Sequence, residues 1–126
     1  MLELLSVGIG GFIGAVLRYL ISSWAQRSFG QSGFPVGTLI VNLAGCLIIG
    51  FLGGLNETRE IFSPQMKLLV FLGILGSFTT FSTFGYETLA LLRDGQFPAA
   101  ILSAVLHLVV GLLAVWAGYT LSTLTH

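Results

Sequence analysis

The chain has 126 residues, 55% of them hydrophobic and 8% charged, with a mean hydropathy of +0.97 and a formal net charge of zero. A soluble domain carries about 25% charged residues, so this chain has too few to cover a surface in water. The neutral balance also excludes a nucleic-acid footprint and an acidic partner, and leaves membrane lipid as the surroundings that fit.

Four apolar runs follow in order. A helix needs about 20 apolar residues to cross a bilayer core. The runs predict spans over Leu2–Trp24, Val36–Leu55, Met66–Leu92 and Ala99–Leu124. Glu3 stands where a signal peptide would have basic residues, and no small-residue cleavage site follows, so the first run reads as a retained span. Pro35, Pro64 and Pro98 each precede one of the later spans, where a missing N–H costs nothing. Ser63 is the expected N-cap of the third. Short connections predict antiparallel neighbours and one four-helix transmembrane domain over residues 1–126.

Small and polar residues form a stripe on three of the spans. Gly10, Gly14 and Arg18 share one face of the first, and Thr38, Asn42 and Gly45 one face of the second. Ser103, His107 and Gly111, continued by Ala114 and Gly118, do so on the fourth. Helix packing in lipid explains the glycines and alanines, including the GxxxG of Gly10–Gly14. It does not explain Arg18, Asn42 and His107, which are costly in hydrocarbon unless they face something wet or paired.

The third span holds the densest signal, Gly76-Ser77-Phe78-Thr79-Thr80-Phe81-Ser82-Thr83-Phe84. Phenylalanine every third residue is by itself ordinary packing. Hydroxyls interleaved at that depth are not, because stray polar groups in hydrocarbon must face protein or a water-filled path. Threonines back-bond to the helix and a leading glycine loosens it, so a mid-membrane break at Gly76–Thr79 is expected. Such a break frees backbone carbonyls, and the whole stretch points to passage of a small ion.

Other residues carry two readings. Asn42 suits helix–helix glue as well as a pore, and Arg18 suits snorkelling as well as attracting anions. Glu87 reads as solvated or paired. One imidazole, His107, without neighbouring carboxylates is not a metal site. Cys46 is alone and packs as a small apolar residue without a disulfide. Gly8-Ile9-Gly10-Gly11 with Gly14 is no phosphate loop, since no strand precedes it and no phosphate reaches a span interior. No nucleophile–base constellation is present, so no enzyme is expected.

Lys and Arg are almost evenly divided between the two sides: Arg59 and Lys67 on one, Arg27 and Arg93, with Arg18 at the interface, on the other. Orientation follows that bias. Its near absence predicts insertion in both orientations and an antiparallel homodimer, since four short helices enclose little space.

Gly37-Thr38-Leu39-Ile40-Val41-Asn42 with Gly45, Gly14-Ala15-Val16-Leu17-Arg18-Tyr19, and the 76–84 string resemble the signature stretches of the Fluc (CrcB) fluoride channels. The resemblance covers the whole chain in length and span count. It implies an all-α membrane protein whose third helix is broken at mid-membrane. It also implies a dual-topology antiparallel homodimer in the bacterial inner membrane, passively exporting fluoride along two pathways around a central structural sodium. Phe81 and Phe84 would be the paired rings of each pathway, Asn42 its amide donor, and Ser82 and Thr83 part of its polar track. Backbone carbonyls of Gly76 and Thr79 from both subunits would hold the sodium, and Arg18 would lie near the aqueous vestibule. Thr38, Ser103 and His107 complete the candidate pathway; the family often has Tyr or Ser where this chain has Ser103 and His107. A small dual-topology drug/proton antiporter is the alternative. It requires a deep carboxylate where the first span has Arg18.

Overall fold

A computed structural model describes residues 1–125. Four helical segments among them are long and apolar enough to cross a membrane. The first two are α1 (Leu2–Phe29) and α2 (Val36–Arg59). The third, Pro64–Arg93, is divided into α3 (residues 64–78) and α4 (Phe81–Arg93). The fourth is α5 (Phe97–Leu124). Helices cover all four expected segments: the first three run one to five residues further at their ends, where Arg27, Arg59 and Arg93 lie in the last turns, and the fourth starts two residues earlier.

The helix starts follow the expected chemistry. Ser63 caps α3 by accepting from the Met66 N–H at 3.2 Å, with Pro64 at the first helical position. Pro35 occupies the N-cap of α2, and Pro98 lies in the first turn of α5. Two stretches depart from α geometry: Leu68–Leu75 in α3 and Leu106–Val110 in α5 are π-helical. Their sequences, apolar except for His107, give no local reason for wider turns.

Glycines set how closely the helices pack. Gly10 of α1 lies against the Leu69 carbonyl and the Gly73 Cα, and Gly14 against the Ile74 carbonyl and the Ser77 hydroxyl. The stripe on α1 is thus its seam with α3. Gly50 and Gly54 of α2 meet Val115 and Ser122 of α5, while Gly118 of α5 lies on the Leu47 carbonyl. A Cβ at Gly118 would strike main-chain atoms, which cannot rotate away. We expect Gly118→Val to lower stability by about 1–3 kcal/mol, the range for overpacking. Gly8→Ala, with no atom within 4 Å of the added Cβ, should be neutral. Thermal unfolding in detergent, followed by circular dichroism, checks the pair.

Candidate functional site

The break in the third span is made by side chains competing for the backbone. Thr79 and Thr80 are extended (φ −89°, ψ 156° and φ −151°, ψ 111°), between helices ending at Phe78 and starting at Phe81. An extended residue presents its N–H and C=O to one side, and Asn42 of α2 meets both. Asn42 Oδ1 accepts from the Thr80 N–H at 2.8 Å, and Asn42 Nδ2 donates to the Thr80 carbonyl at 3.1 Å. The carboxamide thus docks on Thr80 as a neighbouring strand would. Thr80 also caps α4, its Oγ1 accepting from the Thr83 N–H at 3.3 Å and donating to Thr83 Oγ1 at 3.0 Å.

The expected position of the break needs correction. Gly76 is helical (φ −62°, ψ −34°), and the chain leaves the helix three residues later. Threonine hydroxyls and a cross-helix amide open the turn, and glycine looseness does not. The break nonetheless leaves carbonyls before it without their usual partners, those of Gly76 and Thr79 among them. The Thr80 N–H that would bond the Gly76 carbonyl goes to Asn42, and the Thr83 N–H that would bond the Thr79 carbonyl meets the Thr80 hydroxyl.

A cavity of about 560 Å³ opens beside the break. Asn42, Gly45 and Cys46 line it from α2, Phe71, Leu75 and Gly76 from α3, and His107 from α5. Thr79 and Thr80 of the break and Phe81 and Phe84 of α4 line it as well, and Ile49, Ala104 and Leu108 add apolar surface. The Phe81 and Phe84 ring centroids are 5.5 Å apart, and the Phe84 and His107 rings are 4.2 Å apart with planes tilted by 36°. Phe81 is 83% exposed on the single chain, whereas Phe78, on the other side of the break, is buried. The period-three stripe is therefore not one surface: Phe78 belongs to the core, Phe81 and Phe84 to the cavity.

His107 is held at both ring nitrogens. Nδ1 lies 2.9 Å from the Ser103 carbonyl, which only accepts, so Nδ1 carries the proton. Nε2 of the neutral ring is then an acceptor, 3.1 Å from Asn42 Nδ2. Both amide hydrogens of Asn42 are accordingly engaged, one by Thr80 and one by His107.

The other candidate residues take different places. Thr38, one turn before Asn42, donates to Glu87 Oε1 at 2.7 Å, and both line a second, polar cleft of about 740 Å³ with Ser22, Gln26, Arg27 and Asp94. Ser82 is exposed, its hydroxyl 3.5 Å from that of Thr80. Ser103 is 1% exposed, with a hydroxyl that has no partner among the described residues, and it lies behind the cavity wall. Arg18 donates through Nε to the Ser77 carbonyl at 3.0 Å, which ties its guanidinium beside the break. Two participants were outside the sequence-based set. Thr80 acts through its backbone, although a Thr-Thr pair followed by Thr83 is a readable cap. Glu87 falls one turn beyond Phe84, and that spacing was the available signal.

The fold and this site define a small multi-pass membrane protein whose broken span borders a largely apolar, aromatic-walled cavity with Asn42, Thr79, Thr80 and His107 as its polar edge. Residues 5–119 match the family model described as CrcB-like protein, Camphor Resistance (CrcB), and the chain belongs to that family. It is 42% identical to the fluoride-specific ion channel FluC of Methylobacillus flagellatus over 125 residues, 99% of this chain and 98% of that protein. A protein of the same description from Clostridium perfringens is 46% identical, covering 97% of this chain and 94% of the relative. One from Shewanella putrefaciens is 47% identical, covering 96% of each.

Proposed function

We propose that the chain is a fluoride channel that passively lowers cytoplasmic fluoride, working as an antiparallel dual-topology homodimer. The observation that carries this is the cavity at the break, where Phe81, Phe84, Asn42 and His107 converge. Fluoride is small and strongly hydrated, so a narrow path must offer donors and positive edges in place of water. Aromatic rings present electropositive edges without a charge that would hold the ion too tightly. Thr38 on α2 and Thr83 with Glu87 on α4 continue the polar line from the cavity toward the second cleft.

Two features support a second copy. Gly76 and Phe81 are exposed on the single chain, and broken backbone cannot face hydrocarbon. The near-even Lys and Arg distribution supports both orientations. The freed Gly76 and Thr79 carbonyls fit a hard monovalent cation, which takes oxygen ligands. A structural sodium held there by both copies would offset the repulsion between converging carbonyl dipoles. The antiporter reading has no support: the first span, where it needs a deep carboxylate, offers Arg18 bonded to Ser77.

The test is fluoride efflux from liposomes containing only this protein, read with a fluoride electrode. Efflux down the gradient, without an opposing proton gradient, is expected, and no efflux with sodium present would reject the channel. Exchanging sodium for a bulky organic cation throughout preparation should silence flux, because an ion that binds the assembled state stabilises it. Ser32→Cys in a Cys46→Ala background should label from both sides of the membrane; labelling from one side alone would remove the dual topology.

A further inference from the structure

The Asn42 amide faces the cavity, yet it has no free hydrogen to offer an anion. Turning the carboxamide over is no remedy, because its two ends are matched to the Thr80 N–H and C=O. The hydrogen bond that can be released is the one to His107 Nε2, which exists only while that nitrogen is an acceptor. We propose that His107 is a proton-operated donor switch, so that a proton and a fluoride ion occupy this site together. The inference rests on the channel reading above.

The step balances simply. Hydronium from the aqueous side gives its proton to the Nε2 lone pair and leaves as water, and Nδ1 keeps its hydrogen on the Ser103 carbonyl. Nε2–H then opposes Asn42 Nδ2–H, two donors face to face, and their mutual bond is lost. Fluoride accepts from both, its negative charge meeting the imidazolium's positive one. Before protonation the site offers the anion a lone pair; afterwards it offers two N–H groups, one of them charged. The Phe84 ring, 4.2 Å from the imidazole with its plane tilted by 36°, borders the same nitrogen-bearing ring.

Other ionisable groups near His107 enter the test. Glu87 on α4 stands one turn beyond Phe84, and Cys46 on α2 lines the same cavity. The cavity-lining residues of α3 carry no titratable side chain, and Arg18 of α1 is tied to Ser77. Glu87 is the carboxylate of this set. Its own neutralisation in acid would raise anion flux independently of His107, so non-titrating His107 variants must separate the two.

Fluoride efflux is measured on reconstituted protein between about pH 8 and about pH 5.5, the range a histidine spans, with the leak of protein-free vesicles subtracted. Flux of the natural protein should rise roughly tenfold on acidification, the scale of one charge-assisted hydrogen bond gained by the ion. His107→Gln and His107→Ser should both lose the rise in flux on acidification. A flat natural profile, or a rise that survives in both variants, would overturn the switch. Absence of fluoride flux from the natural protein at every pH would instead reject the channel reading. As a second readout, nitrogen NMR of the His107 ring in a His126→Gln background should show fluoride converting it to the doubly protonated form near neutral pH. A ring unchanged by saturating fluoride would likewise overturn the proposal.

Discussion

Asn42→Asp should abolish fluoride flux and loosen the helix break in the same step. The substitution changes almost no volume but replaces a donor with an acceptor. One carboxylate oxygen can still take the Thr80 N–H, as Oδ1 does at 2.8 Å. The other would point at the Thr80 carbonyl and at His107 Nε2, which now sit 3.1 Å from Nδ2. The Thr80 carbonyl would then meet an acceptor in place of its donor, with a negative charge on the route of an anion. Removing one partner from such a network costs about 3–5 kcal/mol when a charge is left uncompensated. Flux should fall by roughly a hundredfold or more on that scale, and the unfolding midpoint in detergent should drop with it. An Asn42→Asp protein with ordinary flux would show that the carboxamide neither holds the break nor borders the path.

That result would also show what kind of information the sequence holds. Spans, proline-marked starts and the Ser63 cap are local, set by hydropathy and by a few residues at each helix end, and they are legible directly. The α1 glycines were legible as a packing face because a three-to-four spacing admits one geometry. The position of the break was not. Gly76 is the residue that a helix tolerates least well by itself, yet the chain parts at Thr79–Thr80, because Asn42, 38 residues away, captures the Thr80 backbone. Competition between a distant amide and a local turn leaves no periodic trace. Glu87 with Thr38 and His107 with Asn42 are long-range pairs of the same kind, joining residues 49 and 65 apart. The π-helical turn at Leu106–Val110, which carries His107, has no sequence signal at all.

Phe84→Ile should reduce fluoride flux more than tenfold while leaving assembly intact, and Phe81→Ile should reduce flux comparably while also weakening the dimer. Isoleucine keeps much of the bulk and removes the polarised ring edge, so a loss of flux reports the edge rather than the volume. The two rings differ in what surrounds them. Phe84 is half-buried between Phe81 at 5.5 Å and His107 at 4.2 Å, so its neighbours belong to its own chain. Its replacement also removes the stacking surface for the imidazole, a term of about 0.5–1.5 kcal/mol beyond burial. Phe81 is 83% exposed on the single chain, and in the proposed dimer its outer face is covered by the second copy. Size-exclusion chromatography at decreasing protein concentration, run beside the efflux assay, separates the two effects. Dissociation of Phe81→Ile at concentrations where Phe84→Ile remains dimeric is the expected pattern. Undiminished flux in both variants would return the rings to ordinary packing and leave the conduction path to the hydroxyl and amide groups alone.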